Sequence, residues 1–165
     1  MKRFTVLALS LALLFSASSL VQHASAAELS SDSQIIVTPA GTQAAYEGSS
    51  QYFTGSVHVE PLFAATKDAA YSGAYVTFEA GSRTAWHTHP IGQRLLIVAG
   101  FGFVQEWGKP MVAVKAGDTV WFPPGIKHWH GASPTSSMTH LALTGVQNNK
   151  SVAWLEKVND EEYAQ

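Results

Sequence analysis

Short apolar runs cut by glycine or proline constrain this chain more than any other feature. Val57 to Glu60 stops at Pro61, Ala74 to Phe78 ends before Gly81, and Arg94 to Val98 ends before Gly100. Phe101 to Trp107 then reads as the partner of the preceding run across a tight glycine turn. Met111 to Lys115 and Thr119 to Phe122 flank the turn Ala116-Gly117-Asp118, where Asp118 is a turn residue, and Met138 to Thr144 is the last clear strand. Each run is too short for a buried helix and is rich in β-branched and aromatic residues. Roughly eight such strands within about 110 residues predict a closed or double-sheet antiparallel barrel. Only Lys150 to Val158, with Val152, Leu155 and Val158 at helical spacing and Asp160-Glu161-Glu162 beyond, predicts a short C-terminal helix.

Composition narrows the function. Hydrophobic residues make up 46% and charged residues 13% of the 165, which excludes a disordered or coiled-coil chain. The formal charge is −2, and no basic run follows Lys2-Arg3, so nucleic acid is not an expected partner. The sequence contains no cysteine. That excludes disulfides, iron–sulfur clusters, a thiolate nucleophile and a lipid-modified leader, and leaves His, carboxylate and amide groups as the only metal ligands.

The N-terminus begins Met1-Lys2-Arg3, continues as an apolar run from Phe4 to Phe15, and reaches Ala24-Ser25-Ala26. This is the pattern of a secretory signal cleaved after Ala26, and its core is too short for a membrane anchor. The expected product is secreted or periplasmic. Its formal charge moves from −2 to −4, because residues 1–26 carry Lys2 and Arg3 and no acid. Residues 27–52 read as a loose N-terminal arm with a short strand at Ile35-Ile36-Val37, and residues 53–165 as one domain.

Five of the seven histidines fall between residues 87 and 140. His87 and His89 are two apart, so on an extended segment they share a face and can converge on one ion. Gln93 opens the next strand, and His128 follows the turn Pro123-Pro124-Gly125. Three imidazoles and one side-chain oxygen suit one divalent first-row metal with positions left for substrate; manganese, iron, nickel, cobalt and zinc all accept such a set. His130 shares a face with His128, as a second pocket residue or a support for a ligand. His140 lies opposite Leu141 and Leu143, on a face that a barrel can turn toward its lumen. Ala74, Val76 and Phe78 share one strand face as candidate pocket lining. Arg83 reads as the partner of a surface carboxylate or of an anionic substrate. Trp86, Trp121 and Trp129 are expected around the site or in a subunit contact.

Gly81-x5-His87-x-His89-x3-Gln93-x6-Gly100 resembles the first cupin motif, with Gln93 where Glu is usual. Gly117-x5-Pro123-x-Gly125-x2-His128 resembles the second, with Ala132 where Asn is common. The likeness implies an all-β fold, the double-stranded β-helix or jelly-roll barrel, with a metal in its mouth. A narrower resemblance runs through Tyr52-Phe53-Thr54-Gly55, Arg83-Thr84-Ala85-Trp86-His87-Thr88-His89-Pro90, Lys127-His128-Trp129-His130-Gly131-Ala132 and Met138-Thr139-His140-Leu141-Ala142. These stretches are similar to small bacterial cupins that include the manganese-dependent (R)-hydroxynitrile lyases, of the (R)-mandelonitrile lyase kind.

That resemblance implies His87, His89, Gln93 and His128 as ligands of one metal per subunit, manganese first. It implies His140, with His130 beside it, as acid–base residues, a small-molecule substrate, and a homodimer or homotetramer. Neutral Gln93 leaves the site more positive than Glu would, which favours Lewis-acid over redox chemistry. An acid–base imidazole with an ordinary pKa of about 6.5 predicts activity that falls on the acid side. Two alternative readings are a cupin dioxygenase acting on a phenolic or diketone substrate and a non-catalytic cupin that binds a small ligand.

Overall fold

The computed structural model describes residues 34–164. The expected signal segment 1–26 and the first part of the arm lie outside them. The strands are β1 (Tyr46–Glu47), β2 (Phe53–Thr54), β3 (Val57–Phe63), β4 (Tyr71–Phe78), β5 (Arg83–Thr84) and β6 (His87–Thr88). They continue with β7 (Gln93–Glu106), β8 (Val112–Lys115), β9 (Thr119–Phe122), β10 (His128–Ala132), β11 (Met138–Gly145) and β12 (Ala153–Trp154), before α1 (Asp160–Tyr163). Every strand pairing is antiparallel, in the order β1-β3-β4-β11-β7-β10-β5-β2, as the cupin resemblance implies. Val37–Gln165 forms one compact unit. No helix among the described residues is long and apolar enough to cross a membrane.

Strand β7 joins the two layers. Its first part pairs with β11 and β9, and Phe101 to Val104 pair with β8 while Gly102 to Glu106 pair with β10. The expected hairpin at Gly100 is therefore corrected: residues 93–106 form one strand that bends there instead of reversing. Gly100 has φ +75°, and a Cβ on it would sit 1.9 Å from the Ser137 carbonyl oxygen. Only glycine allows both that backbone and that approach. Gly100→Ala is expected to lower stability by more than about 2 kcal/mol, through left-handed strain and the clash. Gly117→Ala, also at positive φ but with nothing within 4 Å, is the control and should cost less. Urea midpoints measure both, and equal losses would remove the Ser137 contact from the explanation.

Three further expectations change. Pro61 does not end β3, which continues to Phe63 with a register shift between Pro61 and Phe63. Beyond Val59 the outer side of β3 has no β1 partner, so a residue without an N–H is tolerated there. Ile35-Ile36-Val37 forms no strand. Residues 150–158 are not helical; they run extended, with Ala153 and Trp154 paired to Thr88 and His87. Helix formation begins only after Asn159, whose side chain accepts from the Glu162 N–H while its own N–H donates to the Glu162 carboxylate.

The main core lies between the layers and includes Val57, Phe78, Leu95, Ile97, Phe122 and Met138. A second cluster of Trp86, Trp129, Val158 and Tyr163 packs α1 and its approach. Trp129 Nε1 donates to Gln105 Oε1, and Trp121 is half exposed, so neither belongs to a substrate wall. Buried Arg83 donates to the Val158 carbonyl and to Asp160, an exposed carboxylate, and stacks on Tyr163. Its role is to fasten the C-terminal segment. Asp118 accepts from the Lys115 N–H, as a turn residue should.

Candidate metal centre

The pleat of three strands brings the histidines together. His87 lies on β6, His89 follows it, His128 and His130 share one face of β10, and His140 faces inward from β11. All five are buried. The ring centroids of His87 lie 4.3 Å from His128, 5.0 Å from His89 and 5.3 Å from His130. Candidate ligand atoms of His87, His128 and His130 lie within 4.8 Å of one another, so this triad could hold a metal ion. His130 thus enters the tightest group, where the sequence pattern favoured His89.

Hydrogen bonding distinguishes the rings. His87 Nδ1 donates to the Ala85 carbonyl at 2.9 Å, His89 Nδ1 to Ser151 at 2.5 Å and His128 Nδ1 to Ile126 at 2.8 Å. A carbonyl only accepts, so each Nδ1 carries the proton and each Nε2 keeps a free lone pair. His89 Nε2 and His128 Nε2 are buried without a hydrogen-bond partner, as is Gln93 Oε1. Gln93 gives its amide N–H to Thr144 Oγ1 at 2.9 Å. Three lone-pair atoms buried without donors would each cost roughly 1–3 kcal/mol unless a cation met them. The donor set, neutral imidazoles plus an amide oxygen, fits a divalent transition metal. His130 differs. Its Nδ1 meets His140 Nε2 at 3.3 Å, another imidazole, so no carbonyl fixes its tautomer.

Burial lowers the pKa of every one of these rings, and neighbouring imidazoles add to the shift at His87, His128 and His130. At His89 the Ser151 carbonyl and the Gln93 side chain act in the opposite direction. His128 is held at about 4 and His140 at about 3. His140 is therefore neutral at ordinary pH, and the expected acid limb near 6.5 does not come from it. Burial also affects stability. Above 6.5 the folded and unfolded chains both hold neutral rings. Below it the unfolded chain takes up protons that the folded chain refuses, so stability drains as pH falls from about 6.5 toward 4. At pH 5 His128 and His140 each contribute about 2 kcal/mol of that loss. Chelator-treated protein should accordingly melt well below its pH 7 temperature at pH 5. An unchanged melting temperature would show that the rings are not held neutral.

His87, His89, His130 and His140 open on a cavity of about 200 Å³ with walls from both layers. Ala74 and Val76 line it, together with Phe78 and His140. Trp154 closes another side, its ring 4.8 Å from His87 and stacked on Tyr52. Ser151, Trp154 and Thr144 did not stand out in the sequence. Thr144 continues the alternation of His140 and Ala142, which was a usable signal; the other two arrive by a long-range return of the chain.

Comparison with known proteins agrees with this geometry. Residues 74–143 match the family model described as Cupin domain. An (R)-mandelonitrile lyase from Granulicella tundricola is 52% identical over 123 residues, covering 74% of this chain and 94% of that protein. The crystal structure of a cupin-like protein from Thermotoga maritima shares 42% identity with a TM-score of 0.66, over 71% of this chain and 89% of that one. A cupin 2 conserved barrel domain protein from Rhodopseudomonas palustris, at 19% identity and TM-score 0.57 over 73% and 81% of the two chains, matches in fold alone. With both motifs, the strand order and a close relative in agreement, this chain belongs to the cupin family.

Proposed function

We propose that the protein is a metal-dependent lyase that, after export, cleaves or forms the carbon–carbon bond of a cyanohydrin. His87, His89, Gln93 and His128 hold one divalent metal, manganese first, and His140 with His130 handles the proton. The observation that carries this reading is the set of buried acceptors His89 Nε2, Gln93 Oε1 and His128 Nε2, left free by bonds on the far side of each group. The (R)-mandelonitrile lyase relative supplies the substrate class.

A bound divalent ion supplies Lewis acidity toward a substrate hydroxyl oxygen. The rest belongs to the protein. His140, neutral and beside the cavity, accepts the hydroxyl proton. As the carbon–carbon bond breaks, its electron pair leaves with cyanide and the oxygen becomes the carbonyl of the aldehyde. The protonated imidazole then returns its proton to cyanide, which departs as hydrogen cyanide. His130, 3.3 Å away, holds His140 in place and shares its proton. The apolar faces of Ala74, Val76 and Phe78 keep the aryl end of a substrate out of water.

Manganese-loaded protein assayed with mandelonitrile under nitrogen should release benzaldehyde and hydrogen cyanide. A chelator should abolish that activity, and added manganese should restore it. Turnover of a phenol or diketone that consumes dioxygen, with none of mandelonitrile, would point instead to a dioxygenase. Ligand binding without any turnover would point to a binding cupin.

A further inference from the structure

A primary amide is an ambiguous metal ligand. Its oxygen coordinates, its NH2 does not, and a half-turn about the last side-chain bond exchanges them. A carboxylate has no such problem, because its two oxygens are equivalent. A cupin with Gln at position 93 therefore needs something to hold the amide oxygen inward.

The geometry points to Thr144 as the positioning residue that fixes the Gln93 amide with its oxygen toward the histidines. Thr144 and Gln93 are registered partners across β11 and β7, so both side chains project from the same face of the pleat. Thr144 Oγ1 accepts the Gln93 amide N–H at 2.9 Å, and Gln93 Oε1 is left buried without a partner. Threonine is β-branched and its χ1 is stiff, so the hydroxyl stays where the strand puts it. Both residues also line the cavity, next to His89 and His140. The inference rests on the proposed ligand set, because it requires Gln93 to bind the metal. It adds a group, two strands removed from the histidine-bearing β10, that selects which atom Gln93 presents.

Titration of metal-free full-length protein with manganese, and separately with zinc, tests it. Thr144→Val keeps the shape and removes the acceptor, and should weaken metal binding by about 10–100-fold, the range typical for groups that orient a ligand. Thr144→Ser should restore most of that loss. In a Gln93→Glu background the same Thr144→Val change should cost clearly less, because a carboxylate needs no orienting. Melting of the metal-free variants checks that each is folded. If Thr144→Val binds metal like wild type while Gln93→Ala binds poorly, Thr144 has no positioning role and the ligand set stands. If Thr144→Ser is as weak as Thr144→Val, or the loss is equal with Glu at 93, the effect is packing and the inference is wrong. If Gln93→Ala keeps wild-type affinity, Gln93 is no ligand, and both the ligand set and this inference fail.

Discussion

His89→Ala and His128→Ala are each expected to bind manganese more than about 100-fold more weakly than wild type and to lose turnover with the metal. His130→Ala should retain the metal. The contrast follows from the partners of the rings. His89 and His128 have their Nδ1 protons committed to backbone carbonyls, which presents an unprotonated Nε2 inward. His130 is bonded to His140, which leaves its proton free to sit on either nitrogen. Elemental analysis of the purified variants decides the matter, with circular dichroism to confirm the β fold. Metal retained in His89→Ala and lost in His130→Ala would make His87, His128 and His130 the ligands, the triad whose atoms lie closest.

The second large effect concerns His140. A positioned acid–base group contributes about 10²–10⁴ in rate, so His140→Ala should lose that much turnover at full metal occupancy. His140→Gln should be nearly as slow, since an amide keeps a hydrogen bond to His130 but cannot accept and return a proton. His140 is fully buried, with its ring 5.6 Å from Phe78 and 4.8 Å from His130. Truncation therefore also leaves a small void, and melting temperatures are needed to separate a rate effect from unfolding. Near-wild-type turnover in a metal-replete His140→Ala protein would falsify the assignment and move the proton to His130.

Much of this was readable in the sequence because it depends on local period and local spacing. His87 and His89 had to share a face, His140 had to oppose Leu141, and both glycine-flanked motifs fix where the histidine-bearing strands begin. The errors arose where distant contacts decide the conformation. Gly100 looks like a hairpin turn, yet a positive φ serves a bend as well as a reversal, and pairing with β10 and β11 selects the bend. Val152, Leu155 and Val158 have helical spacing, yet pairing with β6 draws residues 153–154 into a strand. Val158 is buried by Trp86 and Trp129 instead of by a helix face. The tautomers were likewise out of reach. They are set by carbonyls of Ala85, Ile126 and Ser151, and a carbonyl leaves no mark in a sequence.

The extended return of residues 151–158 also sets an order in time. Ser151 orients His89, Glu156 accepts the Trp86 N–H, and Lys157 reaches back to the Ser50 carbonyl. All three anchors join this late-made segment to residues made long before it. During synthesis His89 lacks the partner that orients it until Ser151 has been made. The tautomer of His89 is therefore settled last, after every histidine of the cluster has been made.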